Sequence, residues 1–108
     1  MSAWVDVGRL ADWDSSGPRR VELQGTPVAV FKLGEAFYAI EDVCSHDGAP
    51  LADGAVEGSQ IICPRHGARF CIRTGTALTP PAYESIRTFP VRVDGDIVQV
   101  CDPRGPME

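Results

Sequence analysis

Two short motifs in the middle of this 108-residue chain each place a cysteine close to a histidine. The first motif is Cys44-Ser45-His46, and the second, after sixteen intervening residues, is Cys63-Pro64-Arg65-His66. Thiolate and neutral imidazole are both good ligands for transition metals. The chain has two histidines in all, so the motifs use both of them, and we expect these two cysteines and two histidines to hold a metal centre.

Two kinds of metal centre fit this ligand set. One is a structural zinc ion, but zinc sites usually pair two cysteines in one loop and two histidines in another, whereas each loop here carries one ligand of each kind. A cysteine and a histidine only two positions apart converge poorly on one small ion. A two-iron cluster avoids this difficulty because each loop can send its cysteine to one iron and its histidine to the other. The spacing therefore favours iron over zinc.

The same composition excludes several other kinds of functional site. With both histidines assigned to metal, neither a Ser-His-Asp nor a Cys-His nucleophile can be built, and a mononuclear iron site would need two further histidines. The chain has no glycine-rich nucleotide motif. The net charge of −5 argues against a nucleic-acid partner. We therefore expect an electron carrier without catalysis of its own.

Neither a membrane span nor an export signal is visible in the sequence. No apolar run approaches the roughly 20 residues of a membrane helix, and the N-terminus lacks a basic start followed by an apolar stretch. We expect one soluble, cytoplasmic domain covering residues 1–108. In such a compartment cysteines serve metal or redox chemistry more often than disulfides. The two cysteines outside the motifs, Cys71 and Cys101, lie in apolar segments and are interpreted as buried free thiols.

The elements that must position the motifs are short β-strands separated by Gly, Pro and Asp, which predicts an all-β antiparallel sandwich or barrel. Asp94-Gly95 is predicted as a two-residue hairpin turn and Gly34-Glu35 as another, while Pro90 should mark an edge or bulge. Arg9–Pro18 is predicted as a polar connection with room for one helical turn. The predicted strands are Ala3–Val7, Arg19–Gln24, Pro27–Leu33, Ala36–Glu41, Gln60–Ile62, Ala68–Ile72, Ile86–Val93 and Asp96–Cys101.

These motifs resemble the two cluster-binding boxes of Rieske [2Fe–2S] proteins. The resemblance extends to Ala68-Arg69-Phe70, Arg73-Thr74-Gly75, Pro80-Pro81-Ala82 and the closing hairpin, which look like Rieske ferredoxins of multicomponent oxygenases. It implies a Rieske-type β-sandwich with a small cluster-binding subdomain, about residues 43–67, inserted as two loops. It also implies one [2Fe–2S] cluster, with the two motif cysteines on one iron, the two histidines on the other, and the two prolines in a third loop against the cluster.

The resemblance further implies a soluble one-electron carrier. Such ferredoxins accept an electron from a flavin-containing ferredoxin reductase and deliver it to a terminal oxygenase, most typically one that hydroxylates aromatic rings. Two alternatives stay open from the sequence. One is an accessory Rieske subunit of a larger oxidoreductase, such as the small subunit of a nitrite reductase. The other is a cluster-based redox sensor that uses Cys71 or Cys101.

Histidine ligation has a direct consequence for the reduction potential. Two ferric ions, two sulfides and two thiolates sum to zero charge, so the reduced centre carries −1 instead of the −3 of a four-thiolate cluster, and reduction is easier. High-potential relatives add a disulfide between the two loops and a Ser and a Tyr that donate hydrogen bonds to sulfur. The corresponding positions here are Ala49, Arg65, Ala68 and Phe70. We therefore expect a potential near the low end of the family's range, about −150 mV.

Acidic residues flank the first motif, and two interpretations of them stay open: a docking surface for a basic partner and a plain solvated face. This predicted acidic rim consists of Asp42, Asp47, Asp53 and Glu57.

Overall fold

The computed structural model describes residues 4–13, 18–44, 50–64, 67–80 and 84–102, and the regular secondary structure within them consists of antiparallel strands and one 3₁₀ turn. This confirms the predicted all-β fold class. The strands are β1 (Val5–Arg9), β2 (Arg19–Leu23), β3 (Thr26–Leu33), β4 (Ala36–Glu41), β5 (Ala55–Glu57), β6 (Gln60–Ile62), β7 (Arg69–Cys71), β8 (Thr88–Phe89), β9 (Val91–Asp94) and β10 (Ile97–Val100).

The strands form three sheets. One has the order β1-β10-β9, the second β2-β3-β4-β8, and the third β5-β6-β7. Two strands of the third sheet, β5 and β6, lie between the two Cys/His motifs, and the sheet continues with β7 to Cys71, slightly beyond the predicted insertion of about residues 43–67. The boundary of that insertion as a separate subdomain stays a prediction.

Strand β3 explains how the sheets are held together, because both of its faces are buried. Side chains alternate across a strand, and Ala29 and Phe31 point into one group of buried residues while Val28 and Val30 point into another. The group that contains Ala29 and Phe31 is called core I, and its other members are Ile40, Cys44, Leu51, Ile61, Cys63, Ala68, Phe70, Ile72 and Ile86. The group that contains Val28 and Val30 is called core II, and its other members are Trp13, Leu23, Ala39, Phe89, Val98 and Val100. The four-stranded sheet therefore has the cysteine-bearing segment on one face and the β1-β10-β9 sheet on the other.

One predicted strand, Ile86–Val93, was wrong as a single element. The structure divides it at Pro90 into β8, which pairs with β4, and β9, which pairs with β10 in a different sheet. Proline has no backbone N–H and cannot continue a hydrogen-bonded ladder as donor. The Pro90 carbonyl accepts a hydrogen bond from the Cys101 N–H at 3.2 Å. It therefore still connects the residue after β10 to the point where the chain passes from one sheet to the other.

The last hairpin turn lies one residue later than predicted. Asp94 is paired with Ile97, so the loop is Gly95-Asp96, and Gly95 has φ +66°. A positive φ at the first loop position favours glycine, which fixes the register here. The other predicted turn, Gly34-Glu35, is confirmed by the pairing of the residues on either side of it.

Two short elements remain, one that was not predicted and one that was. Strand β5 was not predicted, since its three residues are all exposed and carry no alternating pattern; it forms by pairing with β6. The connection Arg9–Pro18 begins with a single 3₁₀ turn at Leu10–Asp12, as predicted, and residues 14–17 lie outside the described part of the chain. No helix among the described residues is long and apolar enough to span a bilayer.

Candidate metal centre

The two motif cysteines are delivered to the same apolar environment by the ends of two strands. Cys44 lies three residues after β4 and Cys63 directly after β6, and each is only 1% exposed within core I. Burial among aliphatic and aromatic side chains keeps water away from both sulfur atoms. His46 and His66 lie outside the described residues, so the complete ligand set stays a prediction.

The second cysteine loop is pinned at both ends by its own backbone. The Cys63 N–H donates to the Ala68 carbonyl at 2.7 Å, and the Gly67 N–H donates to the Cys63 carbonyl at 3.0 Å. Gly67 has φ +75°, which a residue with a side chain adopts only with strain. Beyond this turn the β6–β7 ladder begins with Ile62 opposite Arg69, so the loop connects the two strands of a hairpin.

The first cysteine loop is closed by a side chain. Asp42, only 5% exposed, accepts a hydrogen bond from the Ala52 N–H at 2.7 Å through Oδ1, and its Oδ2 lies 3.2 Å from Nε of Arg20. Asp42 is therefore not part of an acidic docking rim, contrary to the sequence-based prediction, because a buried carboxylate with these partners is not presented to another protein.

Two other members of the predicted rim are exposed but paired with cations. Asp53 forms an ion pair with Arg20, and Glu57 lies 3.0 Å from Nη1 of Arg69. Asp47 lies outside the described residues. The acidic character of this edge is therefore partly neutralised within the chain itself.

The segment before the predicted third loop is fastened to β7, close to the second cysteine loop. The Arg69 N–H donates to Oγ1 of Thr79 at 2.9 Å, and the Leu78 N–H donates to the Arg69 carbonyl at 2.8 Å. Pro80 is exposed and Pro81 lies outside the described residues. The position of the two prolines against a cluster stays a prediction.

The surroundings of the two thiols contain the apolar residues on which the low expected potential depends. Ala68 and Phe70 are fully buried in core I together with Cys44 and Cys63, and neither can donate a side-chain hydrogen bond to sulfur. None of the chain's four cysteines forms a disulfide. Ala49 and Arg65 lie outside the described residues.

The two remaining cysteines differ from each other. Cys101 is buried as expected, and burial, helped by the neighbouring Asp102 carboxylate, raises the pKa of its thiol. Cys71 is partly exposed, which corrects its interpretation as a buried thiol. A hydrogen bond from the Thr74 hydroxyl lowers the Cys71 pKa against the opposing effect of burial, and backbone N–H groups and the Arg73 charge lower it further.

Three residues that shape the site were missed by sequence reasoning: Arg20, Asp42 in its structural role, and Gly54. A Cβ atom on Gly54 would lie 1.8 Å from the Ile62 carbonyl oxygen, so the backbones at the end of the first loop and the start of the second are in close approach. No local sequence pattern marks these contacts, since each joins residues that belong to different strands or loops.

The two motif cysteines, Cys44 and Cys63, are suitable ligands for an iron–sulfur cluster. Cysteine sulfur is the typical protein ligand of such clusters, and both thiols lie in an apolar shell. This shell suits a two-thiolate, two-imidazole centre because its oxidised form carries no net charge.

Comparison with known proteins identifies the family. Residues 3–90 match the Rieske [2Fe–2S] domain. The chain is 33% identical over 97 residues to the ferredoxin component of a naphthalene 1,2-dioxygenase system from Pseudomonas aeruginosa, which covers 90% of this chain and 93% of that protein. It is 45% identical over 77 residues to the 3-phenylpropionate/cinnamic acid dioxygenase ferredoxin subunit of Shigella boydii serotype 4 (strain Sb227), which covers 70% of this chain and 73% of the relative.

Solved structures agree over nearly the full length. The ferredoxin of carbazole 1,9a-dioxygenase from Nocardioides aromaticivorans IC177 superposes with a TM-score of 0.84 at 34% identity and covers 90% of this chain and 95% of that one. A chain in the complex of reduced oxygenase and oxidized ferredoxin of carbazole 1,9a-dioxygenase gives a TM-score of 0.86 at 35% identity, with 97% of both chains covered. The strand arrangement, the two buried cysteines and these similarities lead to one conclusion: the chain belongs to the Rieske [2Fe–2S] family and is similar over nearly its whole length to dioxygenase ferredoxins.

Proposed function

We propose that this chain is the ferredoxin component of a multicomponent oxygenase and carries one electron from a flavin-containing ferredoxin reductase to a terminal, ring-hydroxylating oxygenase. The observation that carries the proposal is the burial of Cys44 and Cys63 in one apolar core of a domain that matches dioxygenase ferredoxins along nearly its whole length. This chain covers 93% of the naphthalene 1,2-dioxygenase ferredoxin and 97% of the chain matched in the carbazole 1,9a-dioxygenase complex, so these relatives contain little besides the matched domain.

The residues proposed to hold the cluster are Cys44 and Cys63 on one iron and His46 and His66 on the other. When bound, the cluster supplies reversible storage of one electron. The described part of the chain contributes a water-excluding shell around both sulfur atoms and two loops pinned by backbone and side-chain hydrogen bonds. These hydrogen bonds hold the ends of both loops in place and thereby limit the rearrangement on reduction.

The cofactor and its ligands are tested together. Purified protein should contain two iron and two sulfide per chain and give a Rieske-type EPR signal after dithionite treatment. Cys44→Ala and His66→Ala should lose that signal and most of the iron. Cys71→Ala and Cys101→Ala remove cysteines outside the motifs and should keep both. Zinc-loaded, colourless protein, or iron retained in His66→Ala, would contradict the assignment.

The carrier role is tested by reconstitution. A purified flavin reductase and terminal oxygenase, supplied with NADH and an aromatic substrate, should turn over when the wild-type protein is added and stop when His66→Ala replaces it. Arg9→Gln, which alters an exposed ion pair in the β1-β10-β9 sheet, should support turnover normally. Equal turnover with and without the protein would refute the role.

The cytoplasmic location belongs to the same proposal, because the electron donor NADH and flavin reductases operate there. Fractionation of cells that produce the native protein should recover it with cytoplasmic markers. Recovery in a periplasmic or membrane fraction would contradict this part of the proposal.

A further inference from the structure

One carboxylate joins the two ends of the first cysteine loop. Asp42 directly follows β4, and its main-chain N–H donates to the carbonyl of Pro27 in β3 at 2.8 Å, which fixes it at the end of these two inner strands. Its Oδ1 accepts the Ala52 N–H at 2.7 Å. This hydrogen bond, accepted by a side chain that is 5% exposed, therefore joins the positions on either side of residues 43–51, and Cys44 lies between them.

Arg20 completes this arrangement from a different strand. It projects from β2, with Nε 3.2 Å from Oδ2 of Asp42, and its Nη2 forms an ion pair with Asp53 just beyond the loop. The side chains of Arg20 and Asp53 are 51% and 63% exposed, whereas that of Asp42 is 5% exposed. One guanidinium thus connects the four-stranded sheet to both the start and the end of the cysteine loop.

The charges of the three groups have a consequence for electron uptake. Arg20 contributes +1 and the two carboxylates contribute −2, so the group carries −1. The Asp42 carboxylate is buried and lies two positions from a proposed iron ligand, where a charge interacts more strongly than it would in water. A negative charge there opposes arrival of an electron, and the guanidinium offsets it. The net charge of these three side chains therefore influences the reduction potential of the cluster.

We propose that Asp42 and Arg20 form a positioning pair that holds the first cluster-binding loop closed and sets the reduction potential through its charge balance. The proposal rests on the proposed cluster function, and it assigns to these residues a role that is separate from iron ligation and from partner docking.

Two single variants test the charge balance. Asp42→Asn retains an oxygen acceptor for the Ala52 N–H but removes the negative charge, so the midpoint potential should rise. Arg20→Gln removes the positive charge but leaves the hydrogen bond from the Ala52 N–H to Asp42, so the midpoint potential should fall. Arg20→Lys keeps the charge and should stay near the wild-type potential. Arg9→Gln, at an exposed pair in another sheet, should cause no shift.

A third variant tests loop closure. Asp42→Ala removes both interactions, and iron should be lost to a chelator about tenfold faster, the order expected when a hydrogen bond to a buried charged group is lost. Arg9→Gln should lose iron at the wild-type rate.

The outcomes separate this proposal from the carrier role. Potentials that move in the same direction in Asp42→Asn and Arg20→Gln, or that do not move, would overturn the charge-balance part. Wild-type iron loss in Asp42→Ala would overturn the loop-closure part. If Asp42 variants do not fold, the two arginine variants still decide the charge balance. All of these measurements use the isolated holoprotein, so a failure to support oxygenase turnover would be seen independently.

Discussion

Gly54 lies so close to Ile62 that a Cβ atom on Gly54 would be 1.8 Å from the Ile62 carbonyl oxygen. Ile62 is the last residue of β6 and directly precedes Cys63, while the Gly54 N–H donates to the Leu51 carbonyl at 2.9 Å at the end of the first cysteine loop. The two loops that carry the proposed ligands are therefore set against each other by a backbone-to-backbone contact that only glycine permits.

Substitution of Gly54 by alanine should damage the site as well as the fold. Because the obstructing atom belongs to the backbone, one of the two loops must move, and overpacking of this kind costs about 1–3 kcal/mol. We expect Gly54→Ala to lower the free energy of unfolding by this amount and to reduce the iron content of purified protein. Chemical denaturation and iron analysis measure the two effects.

Gly8 offers the matched control for this substitution. The atom nearest to a Cβ on Gly8 is Nη1 of Arg19 at 2.8 Å, the far end of a flexible side chain that can move aside. Gly8→Ala should therefore retain wild-type iron content. Equal iron content in the two variants would show that the Gly54 contact does not position the loops.

The sequence predicted the fold class and most strands, because alternating apolar residues and Gly-containing turns are local signals. The sheet to which each strand belongs could not be predicted in this way. The sequence around Pro90 gives no local signal that the chain passes from one sheet to another there. That passage follows from the pairing of β8 with β4 and of β9 with β10. Strand β5 likewise exists through its partner β6 and not through its own composition.

The candidate site shows the same division. The motif cysteines could be read directly from their spacing, and the structure buries both of them in one core. The role of Asp42 could not, because a carboxylate beside a motif looks the same in a sequence whether it faces a partner protein or accepts the Ala52 N–H. Its ion pair with Arg20 joins positions too far apart along the chain for local patterns to reveal.

The ion pair between Arg87 and Asp102 should contribute to stability more than the exposed pairs do. Nη2 of Arg87 lies 2.8 Å from Oδ1 of Asp102, with side-chain exposures of 29% and 8%, and the guanidinium also lies 4.7 Å from the Phe89 ring centroid. Arg87→Met keeps an aliphatic stem but removes one charged hydrogen-bond partner of a buried carboxylate. We expect a loss of about 1.5–3 kcal/mol in the free energy of unfolding.

An exposed pair provides the comparison for Arg87→Met. Arg9 and Asp96 are 3.5 Å apart with side-chain exposures of 65% and 61%, and such pairs contribute about 0–1 kcal/mol. Arg9→Met should therefore change the urea midpoint little. Similar losses in the two variants would mean that burial does not strengthen the Arg87 pair.

The two cysteines outside the motifs should react with iodoacetamide over different pH ranges. The lowered pKa of Cys71 means that its thiolate fraction rises at lower pH than that of an ordinary cysteine, and only the thiolate is the nucleophile. The pKa of Cys101 is raised and its side chain is buried. Mass spectrometry of the folded holoprotein across neutral and alkaline pH should therefore find Cys71 alkylated first.

The Thr74 hydroxyl is the main cause of the lowered Cys71 pKa, so Thr74 variants give the decisive comparison. Thr74→Ala should shift the pH profile of Cys71 alkylation to higher pH, and Thr74→Ser, which keeps the hydroxyl, should restore it. An unchanged profile in Thr74→Ala would show that the Thr74 hydroxyl does not lower the pKa of Cys71 and would leave the backbone N–H groups and the Arg73 charge as its causes.

Hydroxyl groups introduced beside the buried thiols should raise the reduction potential. Ala68 and Phe70 are both fully buried in core I with Cys44 and Cys63, so Ala68→Ser and Phe70→Tyr would place donors in the shell around the cluster. Hydrogen bonds to sulfur stabilise the added electron, and the potential should move upward within the family's range of about −150 to +300 mV. Voltammetry of the purified variants measures the shift.

A serine placed in the other core separates this effect from a general loss of packing. Ala39 is 2% exposed and belongs to core II, on the opposite face of the four-stranded sheet. Ala39→Ser buries a hydroxyl at similar cost to stability, but it should leave the potential unchanged because it faces away from both thiols. Equal shifts in Ala39→Ser and Ala68→Ser would show that the potential follows stability, and no shift in Ala68→Ser would show that position 68 does not set it.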